Sequence, residues 1–354
     1  MTTRTSLQPI LTWEQRLVAG LPLHPVVAML FIAAVLFAFY VATAYAFDQQ
    51  ILMWDYPGPL TIDPGAWTAL VFSLLAGYSF VVTHVGMSKN ADDVADLHSV
   101  VAGRTPDELR QAWVDDMAGR VRQSRWTATL GAVFGLGFTL LTASLLLPDL
   151  SLTRLFREFL WFLLVSPLLW AQVSRAAFFT LLGLRLVSRL ARSGVEVDLL
   201  DLSPLAPFGR IGLRNAFGWI VGSTIFSLLM LNVPLESLLT AYPGILSILL
   251  IAIAALVIPL RPVHQAIRRA KREQLARVNA EIHRDREALG SGEHSGEAAA
   301  RLPGLIAYRG AIESVREWPL DTPTLGRFSL YLAIPLGGWL GGALVERLLG
   351  LALD

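Results

Sequence analysis

The sequence lacks cysteine and has few charged residues. With no cysteine among 354 residues, disulfide bridges, thiolate metal sites and cysteine nucleophiles are excluded. Charged residues make up 16% of the chain, whereas a soluble domain usually carries about 25%. This deficit, together with 54% hydrophobic residues and a mean hydropathy of +0.54, predicts an integral membrane protein.

Enzyme signatures are also missing from the sequence. It contains six histidines, which are His24, His84, His98, His264, His283 and His294. Their spacing does not match that of a metal site. The sequence has no GxSxG, no phosphate loop and no GxGxxG after a strand. We therefore expect no metal, no cofactor and no nucleic-acid partner, and a non-enzymatic role is favoured.

Long apolar runs are abundant instead. A hydrocarbon core of about 30 Å requires about 20 apolar residues in a helix. Seven stretches are candidates: 25–47, 66–87, 126–147, 158–184, 215–233, 243–260 and 325–348. They are continuously apolar without a period of two, which favours helices over barrel strands. The predicted fold class is an all-α, polytopic membrane bundle with about seven transmembrane helices.

The distribution of basic residues predicts the orientation of the chain. Of the 29 Lys and Arg residues, 25 alternate onto one side: the first 24 residues and segments 88–125, 185–214 and 261–327. The positive-inside rule makes that side cytoplasmic, and seven spans place Asp354 outside. The excess of 27 arginines over two lysines suggests a high-GC bacterium and its inner (plasma) membrane. Arg154 and Arg157 are exceptions on the outer side.

An alternative is open at the N-terminus. The stretch VATAYAF, which ends at Phe47, contains the Ala-x-Ala pattern of a signal peptidase site. The apolar run before it is about 20 residues, which is long for a signal peptide and sufficient for a span. We expect the span to be retained, whereas cleavage would leave a chain that starts at Phe47.

The cytoplasmic segments carry local signals of their own. In 88–125, TPDE predicts a helix start in which Thr105 caps, Pro106 takes the first position and Glu108 completes a capping box. The helix is expected to run on through LRQAWVDDMAGRVRQ towards span three. Segment 188–214 has prolines and glycines without a clear apolar period, which predicts a strip along the membrane surface.

The third cytoplasmic segment, 261–318, is predicted to form a helical hairpin between spans six and seven. Two apolar stripes at helical spacing support it: Val263, Ile267, Leu275, Val278, Ile282 and Leu289, then Leu305, Tyr308, Ile312 and Val315. A flexible linker over 289–301 separates them. The membrane bundle would occupy 1–260, and 319–354 would be a hinge followed by span seven. The stripes also fit a self-associating coiled coil, or a docking site for a cytoplasmic protein at 262–317.

A basic cluster lies where span six leaves the membrane. Its members are Arg261, Arg268, Arg269, Lys271 and Arg272. Anionic headgroups attract such residues by about 1 kcal/mol per charge near the surface. We expect contact with membrane lipids, although ordinary positive-inside bias gives the same pattern.

An aspartate motif follows span two. NADDVAD contains Asp92, Asp93 and Asp96, and on a helix Asp92 and Asp96 share a face. The motif resembles the first aspartate motif of UbiA-type membrane prenyltransferases, a resemblance that implies Mg²⁺ and a lipid diphosphate. That family has a second such motif and usually nine spans, whereas the nearest counterpart here is EIHRD at 281–285. The simpler interpretation is a solvated acidic helix segment.

Ionisable and polar residues inside predicted spans are the stronger clue, because they are costly there. Arg175 lies well inside span four, Gln172 is three residues earlier on the same face, and His84 lies near the inner end of span two. These residues are candidates for an ion or substrate pathway. Alternatively, Arg175 snorkels to the interface and His84 serves packing.

Glycines recur four residues apart in three predicted spans. The pairs are Gly131/Gly135, Gly218/Gly222, Gly337/Gly341 and Gly338/Gly342. Small residues at this spacing let helices approach closely. We expect the doubled pair in span seven to form either an oligomer seam or a packing contact, and the others to pack within the bundle.

Three functions are therefore considered. The first is a channel or carrier for an ion or small anion, based on Arg175. The second is a non-catalytic sensor or scaffold that acts through the predicted hairpin. The third is a Mg²⁺-dependent lipid-phosphate or prenyl transferase, which rests on Asp92 and Asp96 alone.

Overall fold

The protein is all-α, and 87% of the residues that the structure describes are helical. The structure, a computed structural model, describes the following residues: 12–54, 60–101, 103–147, 151–192, 194–229, 235–291, 295–318, 326, 328–330 and 333. Gly337, Gly338, Gly341 and Gly342, with most of the predicted seventh span, lie outside these residues.

The helices follow one another with short connections. They are α1 (Trp13–Gly20), α2 (Pro25–Ala46), α3 (Pro64–Asp96), α4 (Pro106–Ala118), α5 (Val121–Leu146), α6 (Leu152–Arg192), α7 (Ala206–Ser227), α8 (Leu235–Ser291) and α9 (Ser295–Ser314). Between α2 and α3, β1 (Leu52–Trp54) pairs antiparallel with β2 (Leu60–Ile62). The start of α4 matches its prediction, because Thr105 and Glu108 form the capping box after which Pro106 begins the helix.

Within the described part of the chain, four helices are long and apolar enough to cross a membrane: α2, α3, α5 and α6. The outward faces of α2 and α5 carry large apolar side chains, among them Phe31, Val35, Leu130 and Val133. An apolar outer surface of this kind suits contact with lipid. The structure therefore agrees with a membrane protein, whereas seven spans and the sidedness of the hairpin stay predictions.

Glycine allows α5 and α6 to pack in close contact. A Cβ on Gly131 would lie 2.3 Å from the carbonyl oxygen of Trp170, and one on Gly135 would lie 2.7 Å from that of Ser166. The Ser166 hydroxyl also donates to the carbonyl of Gly135 over 3.1 Å. This pair of glycines thus serves packing within the bundle, as small residues do between membrane helices.

One hydrophobic core joins the three segments that the charge distribution assigns to the cytoplasm. It contains Leu97 after α3, Val187 near the end of α6 and Ile267 in α8, all buried. An isolated bridge between Val101 and Val195 ties two of the connecting segments together. The last turns of α3 and α6, the first part of α7 and the middle of α8 thus form one packed region with α4.

Three local predictions differ from the structure. The helix that begins at Pro106 ends at Ala118, and α5 begins as a new helix at Val121. Segment 188–214 is not a surface strip, because its first residues extend α6 and its last residues open α7. Most of the predicted linker 289–301 is helical, since α8 reaches Ser291 and α9 starts at Ser295. In segment 188–214, Ala191 of α6 and Phe208 of α7 are buried in the shared core, which stabilises helices that have no clear apolar period of their own.

Arg157, one of the exceptions in the charge distribution, has a structural role. Its Nε donates to the carbonyl oxygen of Phe47, 3.4 Å away, just after the end of α2. Cations are favourable at helix C-termini, where carbonyl groups lack partners. A local contact of this kind explains a basic residue on the predicted outer side.

Candidate functional site

Arg175 lies on α6, about 25 Å from the C-terminal end of that helix. Its guanidinium forms an ion pair with the carboxylate of Glu14 on α1. Arg175 is 8% exposed and Glu14 is 3% exposed. A buried carboxylate thus neutralises Arg175 in place, and its part in an ion or substrate pathway stays a prediction.

The position of Glu14 depends on how α1 docks. Thr12 caps α1, and its backbone N–H donates to the side chain of Gln15, 3.2 Å away. The ring of Trp13 packs edge-on against Phe80 of α3 at a centroid distance of 5.7 Å. Gln15 donates to the sulfur of Met87 over 2.9 Å. These contacts hold the short helix against the second half of α3 and direct Glu14 towards α6.

The other residues of the predicted pathway have separate surroundings. Gln172 is buried at 5% exposure, and His84 is partly buried on α3. A large cavity lies beside them, but neither residue belongs to its lining, nor does Arg175. The structure therefore pairs Arg175 with Glu14. It does not bring Arg175, Gln172 and His84 together around this cavity, and their role in transport stays a prediction.

The aspartate motif is the centre of a polar cluster, the Asp93 cluster, formed by Asn90, Asp93, Asp96, Arg210 and Arg214. Arg210 Nε donates to Asp93 Oδ1, and its Nη2 donates to Asp96 Oδ2, each over 2.6 Å. Arg214 Nη2 donates to Asp93 Oδ2 over 2.6 Å, and Nη1 donates to Asn90 Oδ1 over 2.7 Å. The buried Asp93 carboxylate thus accepts hydrogen bonds from two arginines. These bonds are charge-assisted and therefore strong.

Helical spacing explains this cluster. Asp93 and Asp96 are three residues apart near the end of α3, and Arg210 and Arg214 are four apart in α7. Both spacings put side chains on one helix face. Where α3 and α7 pack together, an acidic face therefore meets a basic one.

The two aspartates of the proposed metal motif are held by different helices. Arg110 of α4 contacts Asp92 at 2.7 Å, whereas Arg210 of α7 contacts Asp96 at 2.6 Å. Within the described part of the chain, no group of three or more acidic or histidine side chains is placed to hold a metal ion. Arginine pairing thus gives these carboxylates a structural role, and their catalytic role stays a prediction.

The basic cluster at the base of α8 is not uniform. The Lys271 ammonium donates to the carbonyl oxygens of Glu313 and Val315, over 2.8 and 2.9 Å, at the end of α9. Arg268 lies 3.9 Å from the carboxylate of Glu317. Arg261, Arg269 and Arg272 are exposed. Lys271 therefore holds α9, while the exposed arginines are the members still suited to lipid headgroups.

Sequence reasoning missed Glu14, Arg210 and Arg214. An arginine in an apolar run requires a counter-charge, so Arg175 itself indicated that an acidic partner such as Glu14 must lie nearby. The i,i+4 arginine pair opposite an aspartate motif was the signal for the Asp93 cluster. Comparisons with protein-family models, with curated proteins and with solved structures find no match for this chain.

Proposed function

We propose that this chain is a non-catalytic membrane sensor or scaffold, in which a helical bundle carries the α8–α9 arm (residues 262–317) to a protein partner. The observation that supports it most is the continuity of α8. This helix runs from Leu235 to Ser291, about 85 Å at 1.5 Å per residue. A hydrocarbon core is about 30 Å thick, so much of α8 extends beyond any membrane part.

The arm is built as a defined structure. The predicted stripes of α8 and α9 face each other, with Ile267, Val278 and Ile312 buried between the helices and their neighbours. Gln274 Nε2 donates to the Tyr308 hydroxyl over 3.0 Å. Asp285, late in α8, contacts Arg301, early in α9, whereas Lys271, further back in α8, contacts Glu313 at the end of α9. The two helices are therefore antiparallel, and a packed arm of this kind presents a defined surface to a partner.

The outer face of α9 supplies a candidate contact surface. Ile306 is 55% exposed, and Pro303, Ala307 and Gly310 are also exposed. Small and apolar residues on a solvent-facing helix face suit a protein interface more than a free surface. A cytoplasmic partner, or a second copy of the chain, would bind here.

Transport of an ion or small anion is the other function considered from the sequence. Its basis was Arg175 facing a polar cavity. An arginine that is paired with Glu14 and almost fully buried offers an anion no free charge. Flux of small anions through liposomes that contain the purified protein, compared with an Arg175→Leu variant, tests this alternative directly. If the protein conducts small anions and Arg175→Leu abolishes this flux, transport is favoured over the scaffold function.

The sensor proposal keeps the predicted setting of a bacterial inner membrane with a cytoplasmic N-terminus. Its test is site-specific photo-crosslinking in cells. A benzoylphenylalanine at the exposed Ile306 is expected to crosslink to one defined protein, whereas the same residue at the buried Ile312 is not. The adduct should require residues 262–317, and deleting them should remove the cellular phenotype of the full chain. An unchanged phenotype, with no crosslink from any exposed α9 position, would refute the proposal.

A further inference from the structure

A cavity of about 680 Å³ lies between α3, α6 and α7, with α2 and α4 at its sides. We name it the α3–α7 cavity. Its size is within the range of about 300–1,000 Å³ that small-molecule sites occupy. The sensor proposal does not depend on it.

The body of the α3–α7 cavity is apolar. Side chains from three helices line it, including Leu75, Val82, Leu169, Val173 and Phe226. The stretch of α3 between Leu75 and Asn90, which bounds the cavity, is about 22 Å long. The hydrocarbon of one bilayer leaflet is about 15 Å deep. An extended acyl chain therefore fits this cavity lengthwise.

One end of the α3–α7 cavity is polar and carries positive charge. Lys89, Asn90, Arg214 and Asn215 line this end. Lys89 and Arg214 are the charged residues of the described lining, and no aspartate or glutamate belongs to it. Asp93 pairs with Arg214 and, together with Asn90, fixes it in position. Lys89 therefore supplies the net positive charge of this end. An anionic group is thus the complement of this end.

Two hydrogen-bond donors at the same end lack partners. Trp113 is 3% exposed, lines the cavity, and its indole N–H has no partner among the described residues. The Asn215 amide nitrogen, also buried, has none in that part of the chain either, although Asn215 Oδ1 accepts from Asn90 over 3.3 Å. Buried donors normally have an acceptor. A ligand with several acceptor oxygens would supply one.

We infer that the α3–α7 cavity binds an anionic phospholipid. One acyl chain occupies the apolar body, and the phosphate lies at the end formed by Lys89, Arg214, Trp113 and Asn215. The apolar length selects a lipid over a free phosphate. The Lys89 ammonium, with the donors of Trp113 and Asn215 beside it, favours an anionic over a zwitterionic headgroup. The Asp93 cluster positions Arg214 for this contact.

Native mass spectrometry of the full chain, released from nanodiscs that contain equal phosphatidylglycerol and phosphatidylcholine, tests the inference. We expect one tightly retained phosphatidylglycerol per chain. Lys89→Met should lower that retention about fivefold, the effect of one charge near the surface. Arg277→Met, which removes an exposed cation of α8 outside both the cavity and the basic cluster, is the control and should leave retention unchanged.

A second variant tests the apolar body separately from the headgroup. Ala176 lines the cavity, and Ala176→Phe should fill it and abolish retention while the chain stays folded by circular dichroism. Equal retention of both lipids, equal loss with Lys89→Met and Arg277→Met, or full retention with Ala176→Phe would overturn the inference. A photo-crosslinker at Val173 that reacts with residues 319–354 rather than with lipid would also overturn it.

Discussion

Arg175 of α6 and Glu14 of α1 form a buried ion pair between two helices that are far apart along the chain. Removing two charges from water is costly, and their mutual attraction offsets that cost only while both are present. The pair thus makes docking of α1 a condition for placing Arg175 inside the bundle. The docking of α1 and the burial of Arg175 in α6 therefore depend on each other.

Breaking this pair from either side should destabilise the protein. We expect Arg175→Met or Glu14→Gln alone to lower the free energy of unfolding by about 3–5 kcal/mol, because each leaves an uncompensated buried charge. The double variant should lose less than the sum of the two. Reversible unfolding in mixed micelles measures all three, with Arg154→Met at an exposed position of α6 as control. Additive losses would show that the two side chains are not coupled.

The sequence identified Arg175 but not its partner. A charged residue inside an apolar run can be recognised from the sequence alone, because the free-energy cost of burying it depends on the hydropathy of its neighbours along the chain. Glu14 was not visible in that way, since α1 has only eight residues and its docking depends on contacts with Phe80 and Met87. Ion pairs between distant elements require the tertiary arrangement that the sequence alone does not supply.

The close approach of α5 to α6 should tolerate no side chain at Gly131. We expect Gly131→Ala to cost about 1–3 kcal/mol of stability, because its Cβ would overlap the Trp170 carbonyl and force the helices apart. Gly137→Ala on the same helix meets nothing within 4 Å and should be neutral or slightly stabilising, since alanine favours helix. Thermal denaturation in detergent distinguishes the two variants. Equal midpoints would contradict the close packing of α5 against α6 at Gly131.

Within the aspartate motif, Asp93 should matter more for stability than Asp92. Asp93→Asn removes the carboxylate that both Arg210 and Arg214 contact, and its side chain is 7% exposed. We expect a loss of about 3 kcal/mol. Asp92→Asn breaks an exposed pair with Arg110 and should cost at most about 1 kcal/mol. Chemical denaturation compares the two, and the reverse order would favour a different role for the motif.

Local signals were predicted better than long-range ones. The capping box at Thr105 and the stripes that contain Ile267 and Ile312 follow from spacing along one helix, and the structure contains them. The continuation of α6 to Arg192 and the break at Gly119 were not predicted. Those boundaries depend on the core that joins α4, α6 and α7, and no single segment carries that information.

Lys271 should hold the end of α9 against α8. We expect Lys271→Met to raise hydrogen exchange over residues 310–318 by about five- to tenfold, because the carbonyls of Glu313 and Val315 lose their donor, a change of about 1–1.5 kcal/mol. Arg272→Met removes the neighbouring exposed charge and serves as control. Exchange that rises equally in both variants would assign the effect to lost charge instead of to these hydrogen bonds.

The orientation of the chain can be measured without background, because the natural sequence has no cysteine. Gln50→Cys, between α2 and β1, is predicted to lie outside the cell, and Arg104→Cys, before α4, inside; both side chains are exposed. A membrane-impermeant maleimide should label Gln50→Cys in intact cells and Arg104→Cys only after permeabilisation. Asp354→Cys should behave like Gln50→Cys, because an odd number of spans separates the termini. A protected Asp354→Cys alongside a labelled Gln50→Cys would show an even number of spans and refute the seven-span prediction.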